Sequence, residues 1–365
     1  MLRMDTTSSR EPQFALLPFR ALRLSDSYVG APVAHRVLTR PYRSVPSRTR
    51  EWRRRRHLRL DPAPAIYLHE YTSAGVSVRG IVGTLALEDA RGVVFPHEGV
   101  REAQVGQLAE RMEQMRLNPA PILLMARAAG SVRHLVAQAT AGAPDHVYTD
   151  RSGQVQRIWR VSEPDTIRAL QDALAGTRAV IADGHHRYAA ARRLDQARPG
   201  TDWARTLVML VDQADTPLQL SAIHRSIPRL DLADVARAAA ERGDAFTACP
   251  TRQAALDHLE DSLVLHDGSG WATLRPAPPD DRMLVHRLHD ELLPAWGVDP
   301  EVIGFHHTAG EALDRAGPGL AVLLPAPSFD QVDRSARSGR LLPHKATSFQ
   351  PKPHVGVLMR AVPDE

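Results

Sequence analysis

The chain has 365 residues, enough for one large domain or two medium ones with a sizeable core. Its 43% hydrophobic and 24% charged residues are ordinary for a globular protein, and its single cysteine, Cys249, excludes an internal disulfide and a multi-cysteine metal site. The net charge of +4 is carried almost wholly on arginine, the side chain best suited to carboxylate and phosphate. No apolar run reaches transmembrane length, and the opening MLRMDTTSSREPQ lacks a secretory apolar stretch, so a cytoplasmic protein without a membrane partner is expected.

In chain order, residues 1–13 are polar and expected to be disordered. The fold starts at Phe14–Leu24, where Arg20 and Arg23 interrupt an apolar run. Residues 36–59 hold a dense arginine run that includes Arg53 to Arg56. Such a block usually forms a mobile, solvated loop, and Tyr42 and Trp52 alone make a poor stacking platform, so nucleic acid is not the expected partner. Ile66–Tyr71, Val76–Val82 and Thr84–Leu87 read as short strands. Val93 to Phe95 runs into Pro96, with His97 and Glu98 just past the strand end, where open α/β sheets place their chemistry. Glu98 is a candidate general base with His97 beside it; the competing reading is a loop pair exposed to water. Val100–Leu117 is a helix whose methionines fill a core. A buried strand (121–125), a helix (131–140), an alternating strand (154–161) and a helix (164–174) follow.

The central stretch is Val180 to Tyr188: an apolar strand, an Asp183-Gly184 turn and a helix rich in alanine, leucine and arginine. Asp183 suits an N-cap, and Gly184 lets backbone approach a ligand. His185, His186 and Arg187 then occupy the first helical turn, where the macrodipole disfavours cations. Their presence makes sense if an anion such as phosphate fills the site; the competing reading is a solvated polar turn.

Beyond it, Arg205–Val211 is an apolar strand, and Leu220–Ile227 is another that carries His224 and Arg225 on opposite faces. Residues 231–300 read as a less central α+β subdomain with two helices, a hairpin and a further helix, Arg282–Trp296. His286 and His289 on that helix have metal-ligand spacing, but no third ligand completes a motif, so a solvated face is expected; His306 and His307 are likewise expected at the surface, and no metal site is assigned. Leu320–Leu324 reads as the last buried strand. Residues 301–365 return to the core and end in a proline-bracketed tail, where Lys345 and Lys352 suit an anionic ligand.

These motifs, in this order, resemble the domain-of-unknown-function family numbered 1015. The Pro18-Phe19-Arg20-Ala21-Leu22-Arg23 start, His97-Glu98, the Asp183-Gly184-His185-His186-Arg187-Tyr188 box, the His224-Arg225 strand and the Lys345-to-Pro353 tail carry the likeness from about Pro18 to Arg360. That family is similar to the free-serine kinases of the ParB/sulfiredoxin superfamily. The resemblance implies an α/β (α+β) fold with a ParB/sulfiredoxin-like nucleotide-binding core over 14–230 and the added subdomain over 231–300. It implies ATP or ADP, with Mg2+ as an optional companion, and phosphoryl transfer to a small hydroxylated metabolite such as free serine. Asp183, Gly184, His185, His186, Arg187, Lys345, Thr347 and Lys352 would hold the phosphates. Glu98, His97 and His186 would be catalytic, with His97 orienting Glu98. Arg20, His224 and Arg225 would lie on the substrate side.

The chain departs from the family pattern at Val100, where threonine is expected, and at Ala103, Gln107 and Leu108, where a lysine and an Asp-Arg pair are expected. Arg43 and Ala346 replace an aspartate and a serine. Losing acids weakens magnesium coordination, so the alternative is a catalytically degenerate protein that binds a nucleotide or phosphometabolite and regulates.

Overall fold

The computed structural model of the chain describes residues 12–39 and 45–363. All but the last two residues of the expected disordered N-terminus, and the Pro41-Tyr42-Arg43 departure, lie outside the described residues. Helices and strands are mixed along the chain, as expected of an α/β protein. The described residues fall into two compact units: the first drawn from Met1–Pro96, Val100–Leu218 and Pro351–Glu365, the second from His97–Gly99 and Gln219–Gln350.

An eight-stranded mixed sheet is the centre of the first unit. Its spatial order is Val94–Phe95, Ala179–Asp183, Ile122–Ala126, Arg205–Asp212, Val76–Ala86, Ile66–Ser73, Val155–Val161 and His146–Thr149. The two short strands expected over 76–87 are one, Val76–Ala86, whose Gly80–Ala86 part pairs with Arg205–Val211. One sheet face, with Ile66, Leu68, Ile122, Leu124, Ile181, Val208 and Leu210, packs against helices Glu102–Met115, Gly130–Ala139, Pro164–Leu174 and His185–Ala197. Each such apolar side chain contributes about 1.5–3 kcal/mol on burial. Met112 and Met115 are buried, which bears out their core-filling role.

The other face carries Leu123, Met125, Val180, Met209, His69 and Tyr71, as register and alternation require. Strict alternation would place Asp183 with Ile181, on the helix face. A β-bulge between Ile181 and Asp183 sets Asp183 opposite Leu123 and turns its carboxylate to the other face. The arginine run, expected as a loop, is divided where it is described among helix Pro32–Thr39, helix Val45–Arg54 and strand Leu58–Leu60. Thr49 and Trp52 are buried, while Arg53 to Arg56 stay exposed.

The second unit has a six-stranded antiparallel sheet in the order Ala245–Cys249, Trp271–Arg275, Leu263–His266, Leu320–Leu323, His224–Ile227 and Gly304–His306. Beside it, Gln219–Ala222 pairs with Thr347–Gln350. The strand expected over 220–227 is thus two, divided at Ile223, and Leu320–Leu323 is followed by two more strands. These pairings also set the unit boundaries. His224–Ile227 belongs to the second sheet and the tail pairs within that unit, so the unit runs 219–350, and only 351–365 returns to the first. The hairpin forms as expected; Asp267 Oδ1 accepts the Ser269 and Gly270 N–H groups in its turn.

Candidate functional site

In the first unit the strand–turn–helix forms as predicted, with strand Ala179–Asp183 and helix His185–Ala197 joined at Gly184. Gly184 has φ +98°, a conformation that costs a side-chain-bearing residue about 1–2 kcal/mol. A Cβ there would also lie 2.8 Å from Arg187 Nη2, so a side chain would push the guanidinium from its place over the turn. Asp183 is not the N-cap expected of it. Gly184 occupies that position, with no side-chain cap. The re-aimed Asp183 carboxylate instead accepts Arg187 Nη2 at 2.8 Å on one oxygen and Lys352 Nζ at 2.6 Å on the other. Burial opposes its ionisation most, yet the two cations outweigh it and hold the carboxyl down at about 2. Arg187 Nη2 also donates to Pro121 O, while its buried Nε has no partner among the described residues. His186 Nε2 accepts the Arg101 N–H at 3.1 Å, so that nitrogen carries no proton. Arg20 is exposed and donates to Asp61 O.

A polar network occupies the face to which Asp183 turns. Tyr71 Oη donates to Pro351 O, and Gln154 Nε2 to Lys352 O, which fixes the backbone that bears the lysine. Burial and the Asp183 charge both raise the Tyr71 pKa, keeping the phenol protonated. His69 Nε2 donates to Gln156 Oε1 at 2.7 Å, and Gln156 Nε2 to Asp150 Oδ2 at 2.9 Å. His354 Nδ1 meets the same Asp150 oxygen at 2.5 Å. Burial pushes the His69 imidazole down to about 4, so it is neutral near pH 7. Sequence reasoning passed over Tyr71, Asp150, Gln156 and His354. A signal existed for two of them: Asp150-Arg151-Ser152-Gly153 is an Asx-turn composition, and His354 directly follows the Pro351-Lys352-Pro353 tail.

The second unit gathers other candidates. His97 is 1% exposed, and its Nε2 shares a 2.9 Å hydrogen bond with Thr347 Oγ. Glu98 Oε1 meets His344 Nδ1 at 3.1 Å and accepts the Lys345 N–H at 3.1 Å. Beside the neighbouring His97, His344 and the Lys345 backbone hold Glu98. The adjacent main chain is held by Leu342 N–H donating to His97 O. The water-exposed alternative for this pair does not hold either, since the Glu98 side chain is only 15% exposed.

Arg225 is fully buried. Its Nε donates to His289 Nε2 at 3.1 Å, its Nη1 to Ile223 O, and its plane lies 4.6 Å from the Phe305 centroid. Burial lowers its pKa to about 9 against the opposing pull of Glu98. His224 faces the other way and accepts the Leu324 N–H; burial, Arg225 and His306 hold it at about 4. Lys345 Nζ lies 5.3 Å from the same Phe305 ring, while Lys352 belongs to the first unit. The histidines of the 282–296 helix are not on a solvated face: His286 is buried and His289 accepts from Arg225. His306 is half-buried and bonded to Ser226 Oγ at 2.7 Å, so only His307 is exposed as expected. Among the described residues no cluster of three or more His, Cys, Asp or Glu is arranged for a metal ion, and no helix is long and apolar enough to cross a membrane.

Comparison with solved structures finds distant likenesses. A free serine kinase variant in complex with ADP is 15% identical, with a TM-score of 0.42, over 76% of this chain and 92% of that one. The C-terminally truncated SbnI of Staphylococcus aureus is 10% identical, with a TM-score of 0.45, over 77% and 87%. A conserved hypothetical protein of Pyrococcus furiosus is 15% identical, with a TM-score of 0.40, over 76% and 95%. No curated protein matches the chain. A family profile matches residues 15–292, which takes in the turn, His97-Glu98 and His224-Arg225 but stops short of the tail. The chain therefore belongs to the family described as protein of unknown function (DUF1015).

Proposed function

We propose that this protein binds a nucleotide, ATP or ADP, through its phosphates at the Asp183–Arg187 turn and transfers a phosphoryl group to a small hydroxylated metabolite, with free serine or a related amino acid as the leading acceptor. The observation that carries the reading is the Gly184 cradle. A left-handed glycine opens a thirteen-residue helix, a guanidinium lies where a side chain would otherwise be, and the buried Arg187 Nε has a proton to give. Helix N-terminal N–H groups and such a cation favour an oxyanion. The kinase part of the reading is drawn from the resemblance of the DGHHR box to the free-serine kinases of the ParB/sulfiredoxin superfamily.

In this reading the N–H groups from Gly184 to Arg187 hold the phosphates, and Arg187 and Lys352 neutralise their charge. The bound nucleotide supplies its terminal phosphoryl group: the P–O bond to the acceptor oxygen forms as the terminal phosphoanhydride bond breaks, and ADP leaves from ATP, or AMP from ADP. Glu98, set by His344 and the Lys345 N–H, accepts the proton of the acceptor hydroxyl. Thr347 and His97 position that segment through their mutual hydrogen bond.

A second reading, nucleotide-dependent regulation without turnover, is favoured by one observation. Both Asp183 oxygens are engaged by cations, so this acid is not poised for magnesium. Phosphorus NMR of the protein with ATP or ADP, Mg2+ and L-serine separates the two. A phosphoserine resonance that requires Glu98, and is lost in Glu98→Gln, supports the kinase. Nucleotide binding with no phosphoryl transfer to serine, threonine or other hydroxylated amino acids would leave the regulatory reading.

A further inference from the structure

We propose that the Asp150–His354 pair is a second phosphate-recognition element of the first unit, with His354 Nε2 as the atom that meets the ligand. The inference rests on the nucleotide reading of the Gly184 turn and extends it to residues outside the family's box.

Asp150 is sealed from solvent as a side chain and accepts five hydrogen bonds. Ser152 N–H, Ser152 Oγ and Gln154 N–H bind one oxygen, and Gln156 Nε2 and His354 Nδ1 the other. Burial opposes its ionisation, but these donors prevail and keep its pKa below the usual carboxylate value. The fixed carboxylate behind Nδ1 sets the imidazole's orientation and leaves Nε2 on the side away from Asp150, a donor to an anion whenever the ring is protonated. The His354 side chain is 32% exposed, and Nε2 has no partner among the described residues.

Pinning the chain does not require this histidine. The same segment is already held by Tyr71 at Pro351 O, by Gln154 at Lys352 O, and by Leu24 N–H at Gly356 O. What His354 adds is an aimed and accessible donor. Its neighbours share a sheet face with the turn's acid. Tyr71 is registered opposite Gln156, and the bulge brings Asp183 to the face of Leu123. Tyr71 Oη donates to Pro351 O, next in the chain to the Lys352 whose ammonium binds Asp183. Lys352 joins the halves, with its carbonyl on the Gln154 side and its ammonium on Asp183. Two residues of chain span at most about 7 Å, so Lys352 and His354 can serve one extended anion such as a nucleoside diphosphate. The titratable groups facing His354 are Asp150, through its hydrogen bond, and the neutral His69; Lys352 lies two residues earlier in the chain with its ammonium on Asp183.

The test is calorimetric titration of ADP into the full chain from pH 6 to 8.5, for wild type, His354→Gln and Arg187→Ala, about the range over which histidine titrates. The expected result is at least a fivefold loss of ADP affinity in His354→Gln at pH 6. The two proteins are compared at each pH, because the phosphate's own ionisation affects both alike. Because a variant can lose affinity through misfolding, nitrogen-15 histidine NMR of the wild type accompanies it, with the His354 Nε2 resonance expected to shift on adding ADP. Equal ADP affinity in His354→Gln and wild type, with Arg187→Ala still weakened, would overturn this inference and leave the turn's assignment standing. No ADP binding by wild type at any pH would overturn both.

Discussion

Asp183 and Arg225 are charges removed from water in opposite ways. Asp183 is about a quarter exposed and shared by two cations, one a helical turn away and the other from the chain's end. Arg225 is wholly enclosed, yet its hydrogen bonds go to a neutral histidine and a carbonyl, with an aromatic ring on its face and Glu98 acting only through space. The first arrangement is a clamp that an incoming anion can reorganise, because its cations reach solvent. The second is a fixed strut, because moving it would expose a cavity and strand a charge. Function is therefore sought where charges are paired loosely, and rigidity where one is enclosed.

The largest effect expected from this contrast is at Arg225. Arg225→Ala should cost about 3–5 kcal/mol in denaturant unfolding, while Arg225→Met, which keeps volume and removes the charge, should cost far less. If alanine cost under about 1 kcal/mol, Arg225 would not be the strut described.

Acid comes next. His69 is 2% exposed and held at about 4, so its folded-state pKa lies below its unfolded value near 6.5. The unfolded chain binds the proton first, and the stability this group supplies above pH 6.5 is lost as pH falls toward 4, by about 3 kcal/mol at most. His224 and His289, also lowered to about 4 by burial, act with the same sign. Asp183, depressed to about 2, holds its contribution until pH falls below about 4. Unfolding curves from pH 7 to 3 should show histidine loss first, and His69→Gln should flatten the upper limb; a flat profile from 7 to 4 would contradict the burial described.

Smaller changes probe the clamp. Gly184→Ala should cost about 1–2 kcal/mol through its left-handed backbone and displace the Arg187 head, lowering nucleotide affinity as well. Lys352→Met should change stability by under about 1 kcal/mol, since the lysine is nearly half exposed, yet weaken ADP binding about tenfold. Equal losses of stability and affinity would make Lys352 structural instead.

The sequence made the local half of this legible. Asp183, Gly184 and Arg187 lie within one turn, and backbone propensity with the cation-rich helix start sufficed to predict strand, turn and helix. The face to which Asp183 turns was not legible, because a bulge of one residue decides it and alternation cannot foresee a bulge. The Asp183 cap reading failed for that reason. The sequence offers Glu98 its chain neighbour His97; a parallel bridge to Leu342 brings in His344 as well. Arg225 over Phe305 follows from a strand pairing across 80 residues, which periodicity does not encode. The boundary expected at 231 lies at 219 in the structure, because pairing with Leu320–Leu323 across about 100 residues, which local pattern does not encode, puts His224–Ile227 in the second unit.

The most direct measurement is calorimetric titration of ADP, ATP and CTP, each with and without Mg2+, into wild type and Arg187→Ala, with circular dichroism to confirm folding. The account predicts that wild type binds ATP or ADP and that the variant loses more than tenfold in affinity, about 1.4 kcal/mol or more, for want of a charge-assisted bond to phosphate. A folded Arg187→Ala that binds the same nucleotide as tightly as wild type would contradict the Gly184 cradle.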